Sequence, residues 1–449
     1  MKMTRILLLC IGLTICCNLA ACSADSTPEG LSPEEQQAIE KAKIHAQMLI
    51  EGNFTGVLQD STVELQSKIT VEQLSEAWQR TVAGLGEYSE IKGTSVESKN
   101  GMINTETTLA FNDTKIAGAQ NGLLLTLSYD ATGKIGGLWI KPVALNQELV
   151  LEDNEVYQET SFAVGEYGLT GILAIPKAAD NPPIVIMVQG SGSTDYDETV
   201  GANKPFKQLS DALAKNGIMT IRYNKRFYQN NFLANEKYTI NEEFLEDVYW
   251  LVDYAEDNFD GNIYILGHSL GAMAAPKIAA EKSAVKGIIC LAGTPRGLEE
   301  VIYDQNMRVI AEGDYTDEQK SEMTVLAKNG LKEVQALRVD NGSAPLGVPA
   351  AYWLSLRDLK TAENAAALDI PILIMQGGKD FQVSAEVDFL AWKKALGNKD
   401  NVNYKLYDNL NHLFMPSVLG GKLDIAEYDT PGEIPDQVIT DIVDWLDNK

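Results

Sequence analysis

The segment Ile263-Tyr264-Ile265-Leu266-Gly267-His268-Ser269-Leu270-Gly271-Ala272-Met273 carries the architecture of this chain. Its centre, G-H-S-L-G, is short, and 36 glycines in 449 residues can supply such a pattern by chance. The surroundings argue otherwise. "NIYILG" before Ser269 reads as a buried strand, and "GAMAAPKIAAEK" after it reads as a helix with small residues near its start. A serine between strand and helix, with glycine two residues away on either side, sits on a sharp, strained turn that exposes its hydroxyl. The helix start also turns free N–H groups toward negative charge developing there. Ser269 is a candidate nucleophile.

A serine hydroxyl attacks well only when a base takes its proton. The chain has three histidines. His45 lies far upstream on a helix beside charged residues and reads as an ordinary surface or rim side chain. His268 adjoins Ser269, and at such a turn its side chain diverges from that of the serine. His412, in "YDNLNHLF" just after the last strand, is therefore the expected base. Asp380 closes "ILIMQGGKD" after another buried strand and is the carboxylate expected to fix the tautomer of His412. Asp369 precedes its strand, Asp388 lies inside a helix, and Asp408 is too close to His412 in sequence. The expected oxyanion donors are two backbone N–H groups. One belongs to Leu270 and the other to Ser191, in the glycine-rich loop 189–195 after "IVIMV".

Around these residues the chain alternates strands and helices from residue 157 to 449. The pattern predicts an α/β fold, a mostly parallel sheet with helices on both faces. Residues 296–368 interrupt the alternation and look helical, too long for a loop. They are expected to form a cap over the carboxyl edge of the sheet, where ligands bind in such folds. Residues 146–156 form an acidic linker. Upstream, residues 31–145 read as a small α+β domain. Ser32-Pro33-Glu34-Glu35 opens a helix with a capping box, and Ile39, Ala42, Ala46 and Ile50 recur at helical spacing. "VEQLSEAWQRTVAGLG" is a later helix, and the turn signals "SKNGM", "AGAQNG" and "DATGK" then mark a meander of strands.

The amino terminus suggests export. Lys2 and Arg5 precede an apolar run, residues 6–20, too short to span a bilayer comfortably. Leu19-Ala20-Ala21-Cys22 resembles the lipobox of bacterial lipoproteins. That resemblance implies a signal peptide over 1–21, a diacylglycerol on Cys22, a flexible tether over 22–30 and a place on the extracytoplasmic face of the cell membrane. Cys10, Cys16 and Cys17 would leave with the signal, so Cys290 would be the one thiol remaining, without a disulfide partner or metal-type spacing. The net charge of −26 speaks against nucleic acid or an anionic lipid surface as a partner.

The order Ser269, Asp380, His412, placed at element ends, resembles the α/β-hydrolase superfamily over residues 157–449. "VQGSGSTDYD" is similar to the G-S-G-x-x-D-x-D loop of a branch of bacterial esterases and peptidase-like hydrolases. "GIMTIRYNKRF" is similar to that branch's G-x-x-x-x-R-Y-D-K-R-G, with Asn224 in place of Asp and Phe227 in place of Gly. Gln189 stands where lipases of the H-G-G type have histidine. The α+β unit loosely resembles the cystatin- or NTF2-like modules that precede some lipoprotein hydrolases. These resemblances imply a serine hydrolase that works through an acyl-enzyme on modest carboxylic esters, with no metal or organic cofactor. One alternative is a serine peptidase of the aminopeptidase or acyl-peptidase kind acting on short peptides. Glu299 and Glu300 would be its candidate terminus-binding pair, although adjacent glutamates on a helix are usually a solvated face. Another is a non-catalytic surface binding protein. Arg222 and Arg226 read as structural ion-pairing residues in preference to ligands for a substrate carboxylate.

Overall fold

The computed structural model describes residues 31–82, 85, 87–99, 102–112, 122–143, 151–166, 168–229 and 238–448. The signal, Cys22 and the tether lie outside the described residues. The described residues fall into two compact units, one within 31–143 and the other within 151–448.

The first unit opens with α1 (Pro33–Ile50), capped by the reciprocal Ser32–Glu35 box, and continues through α2 (Phe54–Gln59), α3 (Val63–Lys68) and α4 (Val71–Val82). Four strands follow, β1 (Glu87–Lys99), β2 (Met102–Asn112), β3 (Gly122–Tyr129) and β4 (Ile135–Val143), as an antiparallel meander in chain order. Helix α1 lies on this sheet. Its buried stripe is Ala38, Ala42, His45, Ala46 and Leu49, with Ile39 and Ile50 only partly covered. The stripe keeps Ala42 and Ala46, adds His45, and takes Ala38 and Leu49 in place of Ile39 and Ile50. It packs with Val57, Leu109, Leu123, Leu125 and Leu127.

His45 is a correction to the sequence reading. It is 3 % exposed, three residues beyond Ala42 and four before Leu49, so helical periodicity turns it inward. Its charged neighbours Lys41, Lys43 and Glu40 concealed that. Its ring lies 2.9 Å from the Tyr129 hydroxyl through Nδ1 and 3.3 Å from Asp60 Oδ2 through Nε2.

The second unit holds an eight-stranded sheet: β5 (Tyr157–Val164), β6 (Leu169–Pro176), β7 (Ile184–Val188), β8 (Met219–Tyr223), β9 (Ile263–His268), β10 (Val285–Leu291), β11 (Ile372–Gly377) and β12 (Val402–Tyr407). The order is β12-β11-β10-β9-β7-β8-β6-β5, with β6 antiparallel to both neighbours and the remaining pairings parallel. Strand β7 shows why the central strands read as unbroken apolar runs. Ile184, Ile186 and Val188 join one core with α7 (Glu246–Asn258) and α8 (Leu270–Glu281), while Val185 and Met187 join the other. That second face is covered by α5 (Pro205–Lys215) and α14 (Asp436–Asp447), and α13 (Leu390–Leu396) lies on the first.

A short helix α6 (Arg226–Gln229) follows β8. Between β10 and β11 come α9 (Leu298–Glu312), α10 (Asp317–Ala336), α11 (Ala350–Arg357) and α12 (Thr361–Ala367). Helices α9 and α11 are tied to loops at the carboxyl side of the sheet. Gln305 donates to the Gln382 carbonyl at 2.9 Å, and Ser355 Oγ accepts from Ile240 N–H at 3.1 Å. Helix α12 behaves differently. It packs on α8 and α13, and the Thr361 hydroxyl donates to the Met273 carbonyl at 2.8 Å, so it belongs to the helical layer of the sheet.

Candidate active site

Ser269 follows β9 and precedes α8 with φ +53° and ψ −114°, a backbone geometry that non-glycine residues rarely adopt. The flanking glycines are what permit the turn. A Cβ at position 267 would stand 2.3 Å from the Gly271 carbonyl oxygen, and one at 271 would stand 2.1 Å from that of Val188. Ser269 N–H donates to the Leu291 carbonyl at 2.9 Å, and its hydroxyl makes no cap bond to α8. The N–H of Leu270 belongs to the first turn of that helix, where no intrahelical acceptor exists.

Asp380 stands just after β11. Its Oδ1 accepts the N–H groups of Gln382 and Val383 at 2.8 and 2.9 Å. Its Oδ2 accepts Gln376 Nε2 at 2.9 Å and His412 Nδ1 at 2.7 Å. With Nδ1–H given to a carboxylate, Nε2 of His412 is left as the basic nitrogen. The Gly377-Gly378 pair lets the histidine loop approach. A Cβ at 377 would meet the Leu410 and Asn411 carbonyls at 2.4 and 2.5 Å, and one at 378 the Asp408 carbonyl at 2.7 Å. Asn411 shapes that loop by accepting from Leu413 and Met415 N–H groups at 3.0 and 3.1 Å. Asp388 is engaged elsewhere, with Thr294 at 2.6 Å and Arg296 at 2.9 Å.

His268 has both ring nitrogens committed away from Ser269. Nδ1 lies 2.9 Å from Glu198 Oε1 and Nε2 lies 2.9 Å from the His412 carbonyl. Burial opposes charge on this ring, but the Glu198 carboxylate, the bond to His412 and the nearby Asp380 outweigh it and raise its pKa above 6.5.

The loop after β7 lies against the serine. A Cβ on Gly190 would come within 3.1 Å of Ser269 Cβ and 3.6 Å of its Oγ. Gly190 N–H donates to Glu198 at 2.6 Å and Gly192 N–H to Glu243 at 3.0 Å, so Ser191 is held between two anchored residues. Gln189 reaches from the buried side to the carbonyls of Asp195 and Tyr223. Asn224 accepts from Tyr196 N–H at 2.9 Å, and Phe227 packs edge-on against Tyr238 at 5.5 Å. Arg222 pairs with Glu159 and Asp197, and Arg226 with Asp247 and Glu246, all within the fold. Cys290 is buried, which pushes its thiol up to about 12 and leaves it unreactive.

Two family models match the chain. One, described as a protein of unknown function, DUF3887, covers residues 42–138. The other, described as serine aminopeptidase, S33, covers residues 203–416. The chain is 32% identical over 412 residues to esterase EstD of Thermotoga maritima, covering 91% of this chain and 95% of that one. It is an α/β hydrolase of the EstD esterase family.

Solved esterases are similar to this hydrolase at lower identity. The Pyrococcus furiosus esterase PF2001 matches at 15% identity over 65% of this chain and 90% of its own, with a TM-score of 0.40. Est1E from Butyrivibrio proteoclasticus matches at 17% identity over 64% and 99%, with a TM-score of 0.41. By its family models and the EstD relative, the hydrolase carries the α/β-hydrolase unit read from its sequence and, before it, a module of the DUF3887 type. Glu198, Gln376, Lys225 and Glu243 escaped the sequence reading. Glu198 and Lys225 lie in loops, Gln376 in β11 and Glu243 in the helical turn 241–245, and a single buried polar residue carries no periodic signal.

Proposed function

We propose that this hydrolase cleaves carboxylic esters with Ser269 as nucleophile, His412 as general base and acid, and Asp380 as the group that orients and charge-balances His412. The observation that carries the reading is the 2.7 Å bond from His412 Nδ1–H to an Asp380 carboxylate already held by three other donors. Ser269 Oγ attacks the ester carbonyl carbon while His412 Nε2 takes its proton. The tetrahedral oxyanion is held by the N–H groups of Leu270 and Ser191. Collapse breaks the C–O bond, His412 protonates the departing alkoxide, and an acyl-Ser269 ester remains. Water then attacks that ester, its proton passing to His412 and on to Ser269, and the carboxylic acid leaves. No step draws on a metal or an organic cofactor.

The mature protein is proposed to sit on the extracytoplasmic face of the cell membrane, held by a lipid on Cys22. The lipobox-like Leu19-Ala20-Ala21-Cys22 supports this. The net charge of −26 supports a lipid in preference to a basic surface as the membrane contact.

A fluorophosphonate probe on the soluble mature fragment tests the catalytic assignment. Labelling is expected on Ser269 and is expected to be lost in His412→Ala. Turnover of p-nitrophenyl esters above aminoacyl-naphthylamides is expected. The family description as a serine aminopeptidase is the reason to include the amides, and a preference for them would replace ester cleavage by peptidase action.

A further inference from the structure

We infer that Lys225 and Glu243 form a positioning pair that sets the orientation of the Ser191 peptide, and that Tyr352 connects helix α11 to this pair. The inference rests on the reading of Ser191 N–H as an oxyanion donor.

Lys225 is 0 % exposed and Glu243 is 4 % exposed. Lys225 Nζ donates to the Gly190 carbonyl and, at 3.0 Å, to Glu243 Oε1. The same Oε1 accepts Gly192 N–H at 3.0 Å, and Oε2 accepts the Tyr352 hydroxyl. The Gly190 carbonyl and the Ser191 N–H are two ends of one peptide group. In a planar trans peptide they point in opposite directions. Holding the carbonyl against the ammonium therefore directs the N–H away from it. Gly190 contributes the carbonyl half of this peptide, and Gly192 follows Ser191 at φ +91°. Glycines permit many backbone conformations, so the plane needs an external anchor to keep one. A cation on the carbonyl also polarises the amide and strengthens its N–H as a donor.

Burying an ammonium and a carboxylate is expensive, and an apolar pair of similar size usually serves stability as well. Both charges here are used on loop backbone. The Phe244 ring, 5.0 Å from Nζ, completes the lysine's surroundings. Glu243 lies in a widened helical turn, Asn241–Leu245, just before α7. Such turns often occur at functional sites. Tyr352 is on α11, inside the insertion. Burial, reinforced by Glu243, keeps its phenol protonated, so it remains a donor. The chain of contacts from α11 through Glu243 to Gly192, and through Lys225 to Gly190, links the seating of the insertion to the oxyanion loop.

The test uses the mature chain with Lys225→Met, Lys225→Arg, Glu243→Gln and Tyr352→Phe. The readouts are p-nitrophenyl acetate kinetics, normalised to sites titrated by fluorophosphonate, and inhibition by a trifluoromethyl ketone that mimics the tetrahedral intermediate. Losing one oxyanion donor costs about 10²–10³-fold in kcat. Lys225→Met is expected to approach the lower figure, with KM changed less than about threefold and the ketone weakened in proportion to kcat. Lys225→Arg is expected to recover part of the loss, and Tyr352→Phe to lose less than Lys225→Met with the same signature. Unchanged kcat per titrated site in folded Lys225→Met overturns the inference, as does a loss confined to KM. If Lys225→Met does not fold, Glu243→Gln is judged by the same two criteria. Activity that survives Ser269→Ala sinks the underlying catalytic reading instead, so the two failures are distinct.

Discussion

His268 Nε2 lies 2.9 Å from the backbone carbonyl of His412, so the residue before the candidate nucleophile holds the loop of the candidate base. The link runs on to Glu198 through Nδ1 and to Gly190 N–H through Glu198. His268→Leu removes both bonds and frees the His412 loop. A displacement of the order of 1 Å in a catalytic group costs about 10²-fold. Steady-state kinetics on titrated sites should show a fall of that order in kcat.

The same contact sets a pH dependence of stability. The folded pKa of His268 is raised above 6.5. The folded state therefore binds the proton more tightly than the unfolded chain. The stabilisation is fully present below about pH 6.5 and is lost as pH rises through the folded pKa. Urea unfolding of the hydrolase unit in the wild type and in His268→Gln should show a gap that narrows as pH is raised from 6 to 9. Glu198, Asp380 and His412 face this ring, so the comparison belongs within one buffer series.

Asp380→Asn keeps the shape of the acid but can present an amide N–H to His412 and so favour the wrong tautomer. A kcat loss of about 10⁴-fold is expected, with the fold intact. Circular dichroism and site titration separate this from unfolding.

Gly190→Ala and Gly271→Ala are expected to fail differently. The new Cβ at 190 would lie 3.1 Å from Ser269 Cβ and 3.3 Å from Glu198 Oε1, so it crowds the nucleophile and lowers activity. The one at 271 would press on the Val188 carbonyl at 2.1 Å, beneath the elbow. Overpacking of that kind costs about 1–3 kcal/mol. Denaturation midpoints should fall for Gly271→Ala more than for Gly190→Ala.

His45 gives the amino-terminal module the opposite pH response. Burial depresses its folded pKa below 6.5, more than Asp60 restores it, with Lys41 and Lys134 also opposing charge. The unfolded chain then binds more protons near pH 6, so the module loses stability as pH falls through about 6.5 toward the folded pKa. Hydrogen exchange on the full mature chain should show faster exchange of α1 and β3 amides at pH 5 than at pH 7.5, relative to intrinsic rates, and a smaller pH effect in His45→Gln.

The lipid proposed on Cys22 predicts that Cys22→Ala abolishes lipidation. The protein expressed with its leader is expected to leave the detergent phase in a cloud-point partition and to retain esterase activity in the aqueous phase.

Local patterns were enough to read the parts that local physics builds. Ser269 is legible because strand, glycines and small-residue helix are contiguous. The placement of His412 is legible because it follows β12, the last and largely exposed edge strand of the alternation, and that of Asp380 because it follows β11, a strand buried throughout. Burial on both faces makes such strands continuous apolar runs, which are hard to mistake. The partners of those residues were not legible. Glu198 finds His268 across 70 positions in the chain because β7 and β9 are neighbours in the sheet, and Tyr352 finds Glu243 across 109 because α11 of the insertion meets the segment after β8. His45 is buried by the rotation of α1 against its sheet, which side-chain chemistry at 45 opposes and packing imposes. Periodicity records how a segment meets water, whereas the pairing of buried charges is settled only when distant segments close around them.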